Sequence, residues 1–256
     1  MTSLGKKYIM AVSGLILVGF VIGHMAGNLQ MFLHPDWINA YAYKLQNLPY
    51  GLLWIVRLVL LAAVVAHIVT AVLLVIENRR ARPQGYSVDK PIQATFASRT
   101  MRYSGVILLA FIVFHILHFT TQHVHPEFRD LYRPLEGVGT IHGAYDLLEA
   151  TGKNHVHDVY SMVAIGFSAQ YWYISLFYVI AMGLLFLHLS HGISSMFQSV
   201  GLRNHTWRIR LDRAALVIAI ALFVGFASIP VAGLLGILPY QDMVQGVHHM
   251  HPPTTP

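Results

Sequence analysis

The stretch that decides the fold is LLWIVRLVLLAAVVAHIVTAVLLVI, residues 52–76, in which Arg57 and His67 are the only ionisable side chains. A helix needs about 20 mostly apolar residues to cross the hydrocarbon core of a bilayer. Four further apolar runs of this kind flank residues 52–76. The sequence therefore predicts five transmembrane helices, at about 5–33, 52–76, 103–124, 170–197 and 214–238.

Composition supports the same fold class. Hydrophobic residues make up 55% of the chain, charged residues make up 11%, and the mean hydropathy is +0.55. These values are typical of membrane proteins. We expect an all-α integral membrane bundle that forms one domain over residues 1–256, without an evident internal repeat, and ends in a polar tail at 239–256. The first helix is long enough to be retained rather than cleaved as a signal.

The distribution of basic residues predicts the orientation, because Lys and Arg concentrate on the cytoplasmic side. The basic residues before the first helix, between the second and third, and between the fourth and fifth would be cytoplasmic. The N-terminus is then inside and the C-terminus outside. The cytoplasmic set comprises Lys6, Lys7, Arg79, Arg80, Arg82, Lys90, Arg99, Arg102, Arg203, Arg208, Arg210 and Arg213.

The formal net charge of +6 does not indicate nucleic-acid binding. The basic residues lie at helix ends, where they face anionic lipid or a docked partner rather than forming a soluble groove. The chain also has no cysteine, which excludes disulfides, iron–sulfur ligation and thiolate-bound metals within it.

Histidines interrupt four consecutive apolar runs. An ionisable residue inside a membrane helix indicates a functional site, and histidines on four neighbouring helices favour a shared ligand over isolated packing roles. The intramembrane histidines are His24, His67, His115, His118, His188 and His191.

These histidines indicate haem more than other ligands. Imidazole binds iron through one ring nitrogen while the other donates to the protein, so a helix bundle can hold a haem between two facing histidines. Zinc, copper and proton transfer are alternatives that imidazole also permits. Gly19, Gly23 and Gly27 beside His24 leave room for a flat macrocycle, although small residues at this spacing are also typical of close helix packing.

Two stretches resemble a known family, the di-haem cytochrome b membrane anchor of succinate dehydrogenase and quinol:fumarate reductase. The first is KYIMAVSG at 7–14, followed by HMAGNL at 24–29 and NAYA at 39–42. The second is HLSHGISSMFQSVG at 188–201. The resemblance extends to about Leu238 and is to the single-polypeptide b558-type anchor.

The resemblance implies two haem b groups. His24 and His115 would be the axial ligands of the haem nearer the outer face, and His67 and His188 would hold the haem nearer the cytoplasm. The spacing of the residues alone leaves His118 as an alternative to His115, because three residues are nearly one helical turn.

The fourth helix presents a similar choice, with His191 as the alternative to His188. The family pattern favours His188. Some family members are thought to move protons through a glutamate two residues before this ligand, but Phe186 occupies that position. The sequence therefore predicts no such proton path.

By the same resemblance, the chain is not an enzyme on its own and has no catalytic residue. It would receive electrons from an iron–sulfur subunit served by a flavoprotein subunit, and pass them to quinone, with menaquinone favoured. The predicted location is the bacterial cytoplasmic membrane, in contact with lipid and open to a higher oligomer of the complex. Lys6, Lys7 and Ser13 are the candidate quinone residues.

Two other functions stay open. A di-haem cytochrome b of a hydrogenase or formate dehydrogenase would share the haems and differ in its soluble partner. A transporter with a histidine-lined pathway would be colourless.

Overall fold

The computed structural model describes residues 2–81, 95–135 and 155–239, which are predominantly helical. Five helical spans are long and apolar enough to cross a membrane, which confirms the predicted all-α, multi-pass fold. Short 3-10 or π-helical turns extend several of these spans. The α-helices are α1 (Ser3–Asn28), α2 (Pro35–Gln46), α3 (Leu52–Ala81), α4 (Phe96–His115), α5 (Val159–Gly166), α6 (Trp172–Ser199) and α7 (Arg208–Leu234).

The surface of α3 is suited to contact with lipid. Large aliphatic side chains that are about half exposed follow one another along it at spacings of three and four residues, which places them on one face of the helix. In water such an apolar stripe would be unfavourable, whereas in a bilayer it costs nothing. The stripe consists of Leu58, Leu61, Val65, Val69 and Val72.

Several helix ends differ from the predicted bounds. Helix α3 continues to Ala81, α4 begins at Phe96 and α7 begins at Arg208. Hydropathy marks only the part of a helix that lies in hydrocarbon, and arginine has a high helix propensity, so these helices extend into their basic flanks. The helix that contains His115 ends earlier than predicted, in a π-helical turn at Ile116–Thr120.

Two short helices occur in segments that carry no transmembrane signal. Helix α2 begins with Pro at its first turn and is capped by the His34 side chain, which accepts from the Asp36 backbone N–H. Helix α5 is capped by Asp158 and lies in the segment 125–169, between the third and fourth predicted transmembrane helices. Residues 136–154 of that segment, including Gly137–Gly139, lie outside the described residues, as do 82–94 and the tail from 240.

The chain divides into two compact units by its contacts, each drawing on segments of several transmembrane helices. Unit 1 consists of 1–23, 54–106 and 184–222, and unit 2 consists of 24–53, 107–183 and 223–256. Ala215, Ala219 and Leu222 are fully buried in unit 1.

Unit 2 contains a buried polar network as well as an apolar core. The Asn39 amide donates to Asp158 (3.0 Å) and accepts from the Tyr160 backbone N–H (2.9 Å). Arg133 forms an ion pair with the other Asp158 oxygen at 3.4 Å. Asn39 and Asp158 are fully buried, so the network joins α2 to the N-terminus of α5. A two-residue antiparallel pairing of β1 (Tyr132–Arg133) with β2 (Val156–His157) lies beside it.

Candidate functional site: two histidine pairs

Unit 1 brings His67 of α3 and His188 of α6 together. Their ring centres lie 6.4 Å apart and their planes are tilted by 58°. Both side chains are half-buried. Each lies in the middle of a long apolar helix, so their depth can be predicted from the sequence, whereas their spacing depends on the tertiary fold.

A serine hydroxyl holds each of these rings. Ser13 Oγ lies 3.3 Å from His67 Nδ1, and Ser104 Oγ lies 3.2 Å from His188 Nδ1. Ser13 donates its own proton to the Ile9 carbonyl at 2.7 Å, so its oxygen is left to accept from the imidazole.

The same reasoning applies to the second serine. Ser104 donates to the Met101 carbonyl at 3.1 Å, and its oxygen accepts from His188. The hydrogen-bond network thus assigns the Nδ1–H tautomer to both histidines, which leaves each Nε2 lone pair for a metal.

A glycine follows each serine and packs against the same ring. A Cβ at Gly14 would lie 3.5 Å from His67 Cε1, and a Cβ at Gly105 would lie 3.6 Å from His188 Cε1. These are ordinary contact distances, so a Cβ at either position would touch the ring without overlapping it. The imidazoles of His67 and His188 therefore each contact a Ser-Gly dipeptide of another helix.

Unit 2 brings His24 of α1 and His115 of α4 together. Their ring centres lie 5.8 Å apart with nearly perpendicular planes, at 82°. Phe226 of α7 lies 5.9 Å from the His24 ring, and Phe111 stacks on His115 at 5.8 Å. The Tyr178 hydroxyl lies 3.2 Å from His115 Nδ1, which again leaves Nε2 for a metal.

Both spacings fit an iron held between two imidazoles. An imidazole nitrogen binds a first-row metal ion at about 2.0 Å and lies about 1.1 Å from its ring centre, so two rings on opposite sides of one ion have centres about 6 Å apart. The observed separations of 5.8 and 6.4 Å lie on either side of this value. Within the described residues, no group of three or more His, Cys, Asp or Glu side chains converges on one point.

The glycines beside His24 differ in what they face. A Cβ at Gly19 or Gly23 would meet nothing within 4 Å, whereas a Cβ at Gly27 would lie 2.8 Å from the Tyr41 ring. Gly27 thus serves the close packing of α1 on α2. Gly19 and Gly23 leave open space of the kind that a macrocycle or lipid chain occupies.

The alternative histidines occupy other places. His118 is fully buried in the π-helical turn, with its Nδ1 at 3.0 Å from the Tyr178 hydroxyl. The described structure gives no ring contact between His118 and His24. His191 is half-buried on α6. The ring beside His24 is that of His115 and the ring beside His67 is that of His188, whereas His118 lies beside His125, with ring centres 5.3 Å apart.

The three candidate quinone residues do not converge. Lys6 is buried in an ion pair with Glu77, which also accepts from Ser3. Ser13 bonds to His67, and Lys7 is exposed.

The contacts of Ser13 and Ser104 with the histidines were not predicted from the sequence, although two similar segments of the chain contain these serines. MAVSGLILVGFVIGH at 10–24 and MRYSGVILLAFIVFH at 101–115 share Met, Ser, Gly, Ile, Leu, Phe and His at the same positions. The prediction of a chain without an evident internal repeat did not take this similarity into account. Each segment supplies a Ser-Gly dipeptide to the histidine pair of unit 1 and a histidine to the pair of unit 2.

Comparison of the chain with models of known protein families, with curated proteins and with solved structures found no match. The resemblance to the succinate dehydrogenase anchor stays a prediction from the sequence.

Proposed function

We propose that this chain is a di-haem cytochrome b that serves as the membrane anchor of a succinate:quinone oxidoreductase. One observation carries the haem part of the proposal, namely two imidazole pairs whose ring centres are 5.8 and 6.4 Å apart, so that each pair would be able to hold one haem iron. Each pair lies within one compact unit and is formed by two transmembrane helices.

In this proposal the protein contributes ligands and orientation. His24 and His115 hold one haem b, and His67 and His188 hold the other. Ser13, Ser104 and Tyr178 would each accept a hydrogen bond from the Nδ1–H of the ring beside them, which would leave Nε2 for the iron. Bound haem supplies one-electron transfer.

The succinate and quinone parts rest on the sequence resemblance. An iron–sulfur subunit, itself reduced by a flavoprotein subunit, would dock at the basic helix ends on the cytoplasmic side and deliver electrons. Quinone, with menaquinone favoured, would accept them within the bacterial cytoplasmic membrane. Lys6, Lys7 and Ser13 stay the predicted quinone residues, with Lys7 the accessible cation among them.

Purification of the intact complex from membranes tests the proposal. We expect co-purification of a flavoprotein and an iron–sulfur protein, b-type absorption bands, and succinate-dependent reduction of the haems. A haem-bearing complex that is reduced by hydrogen or formate and not by succinate would instead identify the chain as the cytochrome b of a hydrogenase or formate dehydrogenase. A colourless chain would favour a transporter.

A further inference from the structure

Unit 2 contains two buried imidazoles that haem ligation does not use. His118 is fully buried and His125 is 6% exposed. Within the described residues, the Nε2 atom of each ring is buried without a hydrogen-bond partner. A buried polar atom without a partner is costly, so two such atoms on neighbouring rings need an explanation.

The hydrogen bonds that lead from His115 through Tyr178 to His118 all run in one direction. This step rests on the proposed function, in which His115 Nε2 binds iron and His115 Nδ1 carries the proton. His115 Nδ1–H then donates to the Tyr178 hydroxyl at 3.2 Å. A phenol has a single proton, so the Tyr178 hydroxyl donates it to His118 Nδ1 at 3.0 Å. The neutral His118 ring consequently carries its proton on Nε2.

The hydrogen bond between His125 and Glu127 runs in the same direction. His125 Nδ1 lies 2.8 Å from the Glu127 carboxylate, which can only accept when ionised. His125 thus carries its proton on Nδ1, and its Nε2 is an acceptor. The two atoms without partners are a donor on His118 and an acceptor on His125, on rings whose centres lie 5.3 Å apart. One ordered water between them would complete the chain.

A phenylalanine ring stacks on each of the two imidazoles. Phe119 stacks on His118 at 3.9 Å, and Phe128 stacks on His125 at 4.8 Å. Among the residues that the structure describes, the titratable groups that face His125 are His118, Glu127 and Tyr171, whose ring lies 4.4 Å away. The Glu127 side chain is 54% exposed, so the path ends at the protein surface.

We propose that Tyr178, His118, His125 and Glu127 form a proton relay between the haem ligand His115 and the surface. If a haem bound by His115 gained one electron, the His125–Glu127 pair at the exposed end would take up one proton from solution, and the hydrogen bonds through Tyr178 and His118 would connect that pair to the haem ligand. The pair releases that proton when the electron leaves. Proton uptake offsets the added charge, which is costly to hold unpaired in a low-dielectric interior. The residues of this path differ from that of the family path, since Phe186 occupies the position of the family glutamate.

The test is a redox titration of both haems in the membrane-embedded complex, from about pH 6 to about pH 8. Full coupling of one proton to one electron shifts a midpoint potential by about 59 mV for each tenfold change in proton concentration. We expect a pH-dependent potential for the haem of His24 and His115. His125→Phe keeps an aromatic ring between Phe128 and Tyr171 but removes the nitrogens, and should reduce this dependence at least twofold.

Glu127→Gln is the second variant, and it changes an exposed side chain with little risk to folding. It should weaken the dependence in the same direction as His125→Phe. His123→Gln and Asp130→Asn are matched controls, because both residues are exposed in the same segment and the described structure gives neither of them a hydrogen bond or ring contact with His125. The haem of His67 and His188 provides an internal control in every sample.

An unchanged pH dependence in both His125→Phe and Glu127→Gln, with both haems retained, would overturn the relay and leave the haem proposal standing. An equal loss in the control variants would also overturn it. Failure of the haem part of the proposed function is a different result, since the unmodified complex would then lack b-type absorption altogether.

Discussion

At the scale of single residues, the hydroxyl groups beside the histidines matter as much as the histidines. The Nδ1 atoms of His67 and His188 each lie at hydrogen-bond distance from a serine, and that of His115 lies at such a distance from Tyr178. These contacts fix the ring orientation and the tautomer before any metal binds. A site prepared in this way loses little entropy when haem enters.

Each histidine of the unit 1 pair should be needed for one haem only. His67→Ala or His188→Ala is expected to lower the haem content from two per chain to one, because a single axial histidine leaves the iron without its second strong ligand. The measurement is haem and protein content after purification. His191→Ala is the matched control on the same helix and should retain both haems. Loss of both haems in His67→Ala, with the protein still folded, would contradict independent sites.

The serine hydroxyls should tune the haem they contact. A hydrogen bond from Nδ1–H makes imidazole a stronger electron donor and favours ferric iron, so Ser13→Ala or Ser104→Ala should raise the potential of that haem. The loss of one hydrogen bond worth about 1 kcal/mol corresponds to a shift on the order of 40 mV.

Potentiometric titration checks this expectation against Ser190→Ala. The Ser190 hydroxyl donates to the Leu187 carbonyl, and the described structure places no histidine nitrogen beside it. A shift of equal size in Ser190→Ala would argue against a role for the imidazole contact.

The sequence predicts the histidines better than the groups that hold them. A histidine in an apolar helix is conspicuous because lipid penalises it. Ser13 is not conspicuous, since a serine can bond to its own helix and lies near basic residues at the membrane edge. Its contact with His67 depends on how α1 packs on α3, which composition does not reveal.

At the scale of elements, α7 contributes packing at a point where its backbone approaches another segment closely. A Cβ at Gly233 would lie 2.8 Å from Phe167 Cβ and 3.0 Å from the Phe167 carbonyl oxygen. The Phe167 carbonyl oxygen belongs to the backbone and cannot move away as a flexible side chain could. The close contact therefore requires glycine at position 233.

Gly233→Ala is therefore expected to destabilise unit 2 by about 1–3 kcal/mol, because the added methyl group overpacks the contact. Thermal unfolding in detergent, followed by circular dichroism, measures this. Gly183→Ala is the matched control, since a Cβ there would meet nothing within 4 Å, and it should leave stability unchanged or slightly raised. Equal stability of the two variants would show that α7 does not pack closely against Phe167.

The transmembrane helices follow from the sequence because every backbone polar group in a membrane must be paired within the helix. Helices α2 and α5 cannot be predicted from the sequence in this way, because each is short and is stabilised by tertiary contacts. Asn39 and Asp158 supply such contacts, and their partners are distant in sequence. The same reasoning explains the helix ends, which local apolar content does not determine.

At the scale of the whole molecule, the membrane orientation is the main prediction that basic-residue counts supply. The absence of cysteine allows single cysteines to report it. His205→Cys and Asp130→Cys both replace exposed residues. A membrane-impermeant maleimide added outside intact cells should label Cys at 130, while Cys at 205 should react only after the membrane is opened. The reverse pattern would invert the proposed orientation.

The central claim is that two histidine pairs each hold one haem b. The most direct test is a reduced-minus-oxidised absorption spectrum of the purified protein, combined with a count of haem per chain. The proposed function predicts b-type bands and two haems per chain when the protein is fully loaded. A protein without these bands, or with clearly fewer than two haems after haem is supplied in excess, would contradict it.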